Sequence, residues 1–347
     1  VFSSAILMLS PKRDPGDTGF RRLTAQLPIY SARCGGIAAG LAPPPQQEVD
    51  AMTTRTVLVG TDESDEAASA ARWAGAVARR CGADVSFVEV LEGSAEQSPE
   101  RTEELKSTAA ARISRWLDAD AVGREPNVHV EWGDVVTELT ARAARTDADL
   151  VVIGSLPVEG VTALALGSVV HELAHRLACP VVAVPVSAVP VSAAAPDFGC
   201  IVVGVDGSAA SRVGLRWAEA LARSLDARVC AVYGVNDLYE TFTPSGPLGT
   251  DEPGAQAEVR GERTRVDIDF VERAAAHPAD ALREVAVERG AALIVVAAKE
   301  RGSIGGLLLG ATPDRLIHQP PCPIAVLPHR FVQAEEARAA QPERVMS

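Results

Sequence analysis

The sequence predicts an α/β protein with two tandem open parallel five-stranded sheets and helices on both faces. Three observations carry this. Short runs of Val, Ile and Leu alternate with segments of helical period. The whole pattern occurs twice. Apolar residues make up 47% of the 347 residues but aromatics only 4%, so the cores are aliphatic, as the buried strands of parallel sheets are.

The repeat is read residue by residue. Val57-Leu58-Val59-Gly60-Thr61-Asp62-Glu63-Ser64 matches Ile201-Val202-Val203-Gly204-Val205-Asp206-Gly207-Ser208, an offset of 144. Arg72-Trp73-Ala74 and Arg216-Trp217-Ala218 each begin ten residues after the Asp. Gly167 matches Gly310 and Cys179-Pro180 matches Cys322-Pro323 at an offset of 143. A register held over more than a hundred residues marks a duplication.

In the first copy, residues 56–61 are a short apolar strand. Asp65 to Cys81 has helical period, capped by Ser64 and closed by Gly82. Residues 85–91 are the second strand and 98–119 an amphipathic helix. Val128 to Val130 is a third strand, and Asp134 caps a helix reaching Arg145. Leu150 to Ile153 is a buried strand ending at Gly154. A helix over Gly167 to Leu177 and a strand over Val181 to Val184 close the unit. The second copy repeats this from Cys200 to Leu327, with a Pro/Gly-rich stretch at 237–264 in place of most of its second helix. The expected domains are 52–187 and 199–330, joined by a linker at 188–198. A tail at 331–347 is rich in Ala, Glu and Arg, the composition of a frayed helix. Residues 1–51 mix Pro, Gly, Arg and Gln without period. They read as a disordered extension ahead of a start at Met52.

Charge and cysteine usage narrow the function. The net charge of −13, with no Lys/Arg run, argues against a nucleic-acid partner. No apolar run approaches a membrane span. The six cysteines show no paired or zinc-like spacing, which fits small buried residues in a reducing cytoplasm.

Four features together resemble the universal stress protein A family. They are strand-one endings at Asp62 and Asp206, a Gly-rich loop after the fourth strand, the filler Arg301-Gly302-Ser303-Ile304-Gly305-Gly306-Leu307-Leu308-Leu309, and a closing Cys-Pro plus apolar strand. In the first copy the loop reads Gly154-Ser155-Leu156-Pro157, nine residues, then Gly167-Ser168. In the second it reads Ala297-Ala298-Lys299-Glu300, nine residues, then Gly310-Ala311. The resemblance covers residues 53–330. It implies a Rossmann-like sheet of strand order 3-2-1-4-5, with a crevice where the order reverses. It also implies an ATP site, in the first domain ahead of the second. Adenine and ribose would rest on Asp62 and Val90, or on Asp206 and Gly234. Phosphates would rest on Gly154, Ser155, Gly167, Ser168 and, in the second copy, Gly310. Phosphates need close main-chain N–H groups and a helix N-terminus. Pro157 has no N–H, Glu63, Glu159 and Glu300 add negative charge, and the second copy has lost both early glycines.

His171-Glu172-Leu173-Ala174-His175 fits the zinc-protease spacing H-E-x-x-H. The repeat argues against that reading, because His171 and Glu172 align with Asp314 and Arg315. No metal is expected. Trp73 and Trp217 read as core residues. No nucleophile-and-base set recurs in both copies. The sequence therefore predicts a non-enzymatic, cytoplasmic stress-response regulator that binds ATP or a related adenine nucleotide in domain 1 and acts on a protein partner. The alternative is a ligand-free scaffold with domain 2 as structural partner. Self-association through the last strands, or pairing of those strands within the chain, would cover an otherwise bare sheet edge.

Overall fold

The first strand, β1 (Thr56–Gly60), shows how the fold is layered. Its side chains alternate between two faces. Val57 and Val59 enter one core layer and Leu58 the other, and all three are fully buried. A strand covered on both sides reads as a continuous apolar run, which is why the sequence shows no alternation here.

The computed structural model describes residues 52–91, 99–117, 127–155, 163–186, 197–235, 266, 268–298, 311–318 and 320–340. Expectations that fall elsewhere, including those for residues 1–51, Pro157, Glu159, the 237–264 stretch, Glu300 and Gly310, lie outside the described residues.

In the first half, β1 is followed by α1 (Asp65–Cys81), β2 (Asp84–Leu91), α2 (Pro99–Trp116), β3 (Asn127–Trp132), α3 (Val135–Arg145), β4 (Leu150–Ser155), α4 (Ala163–Arg176) and β5 (Val181–Pro185). The second half has β6 (Cys200–Gly204), α5 (Ala209–Leu225), β7 (Arg228–Val235), β8 (Ile268–Ala274), α6 (Pro278–Arg289), β9 (Leu293–Ala297), α7 (Ala311–His318), β10 (Ile324–Leu327) and α8 (His329–Ala340). The caps form as expected. Ser64 Oγ accepts from the Ala67 N–H at 3.1 Å, Asp134 Oδ1 accepts from the Thr137 N–H at 2.9 Å, and Gly82 takes the left-handed conformation at φ 67. Among the described residues no helix is long and apolar enough to cross a membrane.

Each half has the expected order, 3-2-1-4-5. The two sheets are not separate, however. They form one ten-stranded sheet, β3-β2-β1-β4-β5-β10-β9-β6-β7-β8. Every pairing is parallel except the central one, where β5 and β10 run antiparallel with Ala183 opposite Ile324, Val182 opposite Ala325 and Val181 opposite Val326. These are equivalent positions of the two copies, centred on Val182 and Ala325, so the seam is an internal two-fold contact. Each last strand has its outer edge filled by the other. The edge that self-association through these strands would use is thus occupied within the chain.

The seam continues through the helices. Trp73 and Trp217 are 1% and 2% exposed and belong to one core layer spanning both halves. Phe198 packs edge-on against Trp73 with ring centroids 6.2 Å apart, and Arg80 donates across the seam to the Leu225 carbonyl at 2.8 Å. Two expectations need correction. The tail expected as a frayed helix from 331 is a docked helix that begins at His329. It buries Val332 and Glu335 and donates from Arg330 to the Arg176 carbonyl of the other half at 3.3 Å. Its Ala/Glu/Arg composition hides an apolar stripe too short to see as a period. Helix α4 begins at Ala163, four residues before the expected start at Gly167.

Candidate functional site

Where the strand order reverses, the strands flanking the switch send their crossover helices to opposite faces and a cleft opens beyond their carboxyl ends. Both halves have one. The first, about 410 Å³, is floored by Gly60 and Thr61 of the β1 end, Val88 and Val90 of β2, and Ile153 and Gly154 of β4. Its walls are Val135 and Leu139 of α3 and Val169 of α4, and its rim holds Asp62, Ser64 and Glu66. The second, about 250 Å³, has Gly204, Val205 and Asp206 of β6, Val232 and Gly234 of β7, and Val296 and Ala297 of β9, with Pro278, Ala311, Thr312 and Pro313 from the helices.

Main-chain parity supplies the polar groups of the floor. The Val88 carbonyl accepts from the Thr61 N–H at 2.9 Å, on the β1 side, and the Leu91 carbonyl accepts from the Gly133 N–H at 3.1 Å, on the β3 side. Even-numbered residues of β2 therefore turn their N–H and C=O toward β1. The β1–β2 pairing ends at Gly60 and Val88. Val90 thus presents one donor and one acceptor past the end of β1, into the cleft. Gly234 occupies the same position in the second half, because the Val232 carbonyl accepts from the Val205 N–H at 2.9 Å.

The strand-one aspartates are held alike. Asp62 Oδ1 accepts from the Ser64 N–H at 3.0 Å and the Ser64 hydroxyl at 2.5 Å, and Asp206 Oδ1 from the Ser208 N–H at 3.1 Å and hydroxyl at 2.6 Å. Ser64 and Ser208 in turn cap α1 and α5. One carboxylate oxygen of Asp62 is fixed by this turn, and its Oδ2 has no protein partner among the described residues. Between Asp and Ser the chain takes the left-handed conformation, with Glu63 at φ 64 and Gly207 at φ 76.

The sequence did not reveal what surrounds Glu63. Its carboxylate pairs with Arg112 of α2, and Arg112 also pairs with Glu89 of β2. Glu89 is 7% exposed. Burial pushes its carboxyl above the usual range, Arg112 pulls it back, and Glu63 adds to the rise. The hydrogen bond to Glu63 holds the Arg112 guanidinium firmly charged. No spacing in the chain brings these three together; the β1–β2 pairing does.

The phosphate positions are placed differently from expectation. Gly154 lies so close to α1 that a Cβ there would stand 2.5 Å from the Glu66 carbonyl carbon and 2.8 Å from the Ala67 nitrogen. The glycine lets β4 pass under the first turn of α1. Ser155 is buried at the end of β4. Gly167 and Ser168 fall in the second turn of α4, so their N–H groups lie beyond the four unpaired donors of its first turn. In the second half α7 does begin at the matching place, but Pro313 in its first turn removes a donor. That loss was legible in the sequence and missed.

The remaining candidates separate cleanly. His171 and His175 lie against each other on α4, tilted by 55° with centroids 4.9 Å apart, while Glu172 pairs with Arg176 at 3.3 Å. Among the described residues no group of three or more His, Cys, Asp or Glu could hold a metal ion. Cys179 and Cys322 are buried beside the seam, and burial pushes both thiols up to about 12. Such thiols carry almost no thiolate at neutral pH.

Comparison with known proteins agrees with this architecture. The family model described as the universal stress protein family matches residues 53–185 and again 198–328. A universal stress protein of Mycolicibacterium smegmatis is 28% identical over 303 residues, covering 80% of this chain and 99% of that protein. One from Mycobacterium tuberculosis is 26% identical over 296 residues, covering 78% and 95%. The crystal structure of a universal stress protein from Archaeoglobus fulgidus superposes with a TM-score of 0.57 at 18% identity, over 79% of this chain and 98% of that one. A likeness at that identity speaks to the fold.

Proposed function

The chain belongs to the universal stress protein family, and from that premise we propose that it is a ligand-responsive regulator whose first cleft takes an adenosine-bearing molecule. The observation that carries the reading is the unspent main-chain pair of Val90 beside Asp62 Oδ2. An adenine edge offers a donor and an acceptor side by side, and a ribose offers hydroxyls to a carboxylate. The apolar walls, Val88, Leu139, Ile153 and Val169, suit the faces of a purine.

The site supports binding rather than turnover. Of the hydroxyls in the described lining, Ser64 is committed to Asp62 and to the cap of α1, and Thr61 accepts from the Glu63 N–H. A ligand bridging β1, β2 and α3 would favour one arrangement of the segments around it and so change the surface a protein partner meets. Equilibrium dialysis of the full chain with adenosine and adenine nucleotides tests this. We expect one equivalent bound at millimolar ligand or below, and roughly tenfold weaker binding by Asp62→Asn, which keeps Oδ1 but loses the charge-assisted bond at Oδ2. No saturable binding at millimolar concentration sinks the reading. The antiparallel β5–β10 join favours a second reading, in which the duplicated half serves as a built-in structural partner and no ligand is needed. The same experiment separates the two.

A further inference from the structure

We infer that the first cleft selects an adenosine-like ligand without phosphates over a nucleoside triphosphate; this rests on the adenosine-binding reading above. The inference comes from the charge of the cleft's described lining, with the sequence of the segments that leave its strands in the same sense. Its described lining carries Asp62 and Glu66 and no Lys or Arg. The segments that follow β1, β2 and β4 in the chain are 61–64, 92–98 and 156–162. They contain Asp62, Glu63, Glu92, Glu96 and Glu159, and again no Lys or Arg. Arg112, which reaches Glu63 beside this rim, is already shared between Glu63 and Glu89.

The fourth-strand glycine adds to this charge pattern. The first turn of α1 lies against Gly154, with the Glu66 Cβ only 2.6 Å from where a Gly154 Cβ would stand. The glycine leaves room for a helix whose first turn bears Glu66, itself part of the cleft's lining. An anion of several charges entering here meets like charge and, in the described lining, no Lys or Arg. The base and ribose meet the Val90 main chain, Asp62 Oδ2 and apolar walls. The two ends of a nucleotide are thus treated oppositely. The second half differs, since the segment after β9 includes Lys299 and Arg301. The selectivity is a property of the first cleft.

The test is competition against radiolabelled adenosine on the full-length protein, which confines the readout to the adenosine site. Unlabelled adenosine, AMP and ATP are the competitors, with and without magnesium. We expect ATP to displace the label at least about tenfold less effectively than adenosine, with AMP between them. Raising the salt from low to physiological or higher should improve ATP and leave adenosine unchanged, because screening weakens repulsion. Glu66→Gln, a shape-conserving change on a solvent-facing first turn, should narrow the gap between ATP and adenosine at least threefold. ATP competing as well as adenosine, or losing strength as salt rises, overturns the inference while leaving the binding site intact. Saturable ATP binding without adenosine binding does the same. Absence of binding by either removes the parent reading as well.

Discussion

The two halves of the molecule solve one packing problem in opposite ways. Where the fourth strand passes under the helix that follows the first strand, the first half places glycine on the strand, Gly154, and alanine on the helix, Ala70. The second half places alanine on the strand, Ala297, and glycine on the helix, Gly214. A Cβ on Gly154 would collide with the α1 main chain, whereas one on Gly214 would only reach the Ala297 methyl at 3.9 Å. Glycine at the end of a fourth strand in this protein is therefore first a packing device. A glycine count alone suggests that the second half has lost a ligand site and the first has kept one. The geometry says that Gly154 serves helix-on-sheet contact, that Gly214 leaves ordinary van der Waals space, and that ligand chemistry depends on Val90, Asp62 and the surrounding charge.

The strongest way to break this comparison is to exchange the two residues. Gly154→Ala forces main chain apart and should cost about 2–3 kcal/mol in urea unfolding, at the upper end for overpacking. Ala297→Gly removes a methyl and adds backbone freedom, and should cost about 1 kcal/mol. Equal losses would show that β4 and β9 approach their helices alike, contrary to the structure. Loss of stability at position 154 also separates a packing role from a phosphate role, which would change binding and spare folding.

A second pair sharpens the contrast one turn earlier. Glu63 and Gly207 hold the same left-handed conformation. Glycine adopts it freely, and a side chain adds roughly 1 kcal/mol. Gly207→Ala should therefore lower stability by about 1 kcal/mol. Glu63→Gly relieves that strain but removes the exposed pair with Arg112, worth about 0.2–1 kcal/mol, so its net effect should lie within about 0.5 kcal/mol of zero. A loss of more than 1 kcal/mol from Glu63→Gly would mean that the ion-pair cluster, and not the turn, fixes this residue.

Much of this was legible in the sequence, and the boundary of legibility is physical. Buried parallel strands announce themselves as runs such as Leu150-Val151-Val152-Ile153, and caps such as Ser64, Gly82 and Asp134 act within one turn of their own position. Strand order in each half followed from the family resemblance. Contacts between distant segments were readable only in part: pairing of the last strands within the chain was one expectation, but its antiparallel register was not. The antiparallel meeting of Val182 with Ala325 depends on two strands 143 residues apart. The Arg112 bridge depends on β2 lying beside β1. Gly154 carried the correct residue type for a phosphate loop and the wrong reason for it, because a glycine in sequence does not say which neighbour it admits. Helix α8 read as a frayed helix because its buried side, Val332 and Glu335, is only a few residues in a run of Ala, Glu and Arg.

The smallest expected effect concerns Glu89, whose place in the second half is taken by Tyr233. Burial raises the Glu89 carboxyl above its ordinary range despite the partial compensation from Arg112. A carboxyl whose folded-state pKa lies above its unfolded value favours the fold while protonated, and that contribution is lost as pH rises through the folded value. Glutamine at this position cannot ionise. The stability of Glu89→Gln relative to the parent should therefore be lowest near about pH 4, where both side chains are neutral. It should rise as the parent ionises and level off above the raised pKa. Arg112 keeps Glu63 as a partner in the variant, so no cation is stranded. Tyr233→Phe, measured over the same range of about pH 4 to 8, is the matched control because it changes no carboxyl. Urea midpoints across that range decide the matter. If the advantage of Glu89→Gln shrinks with rising pH, attraction to Arg112 outweighs burial, and the cluster beside the first cleft is held by charge pairing rather than merely tolerated.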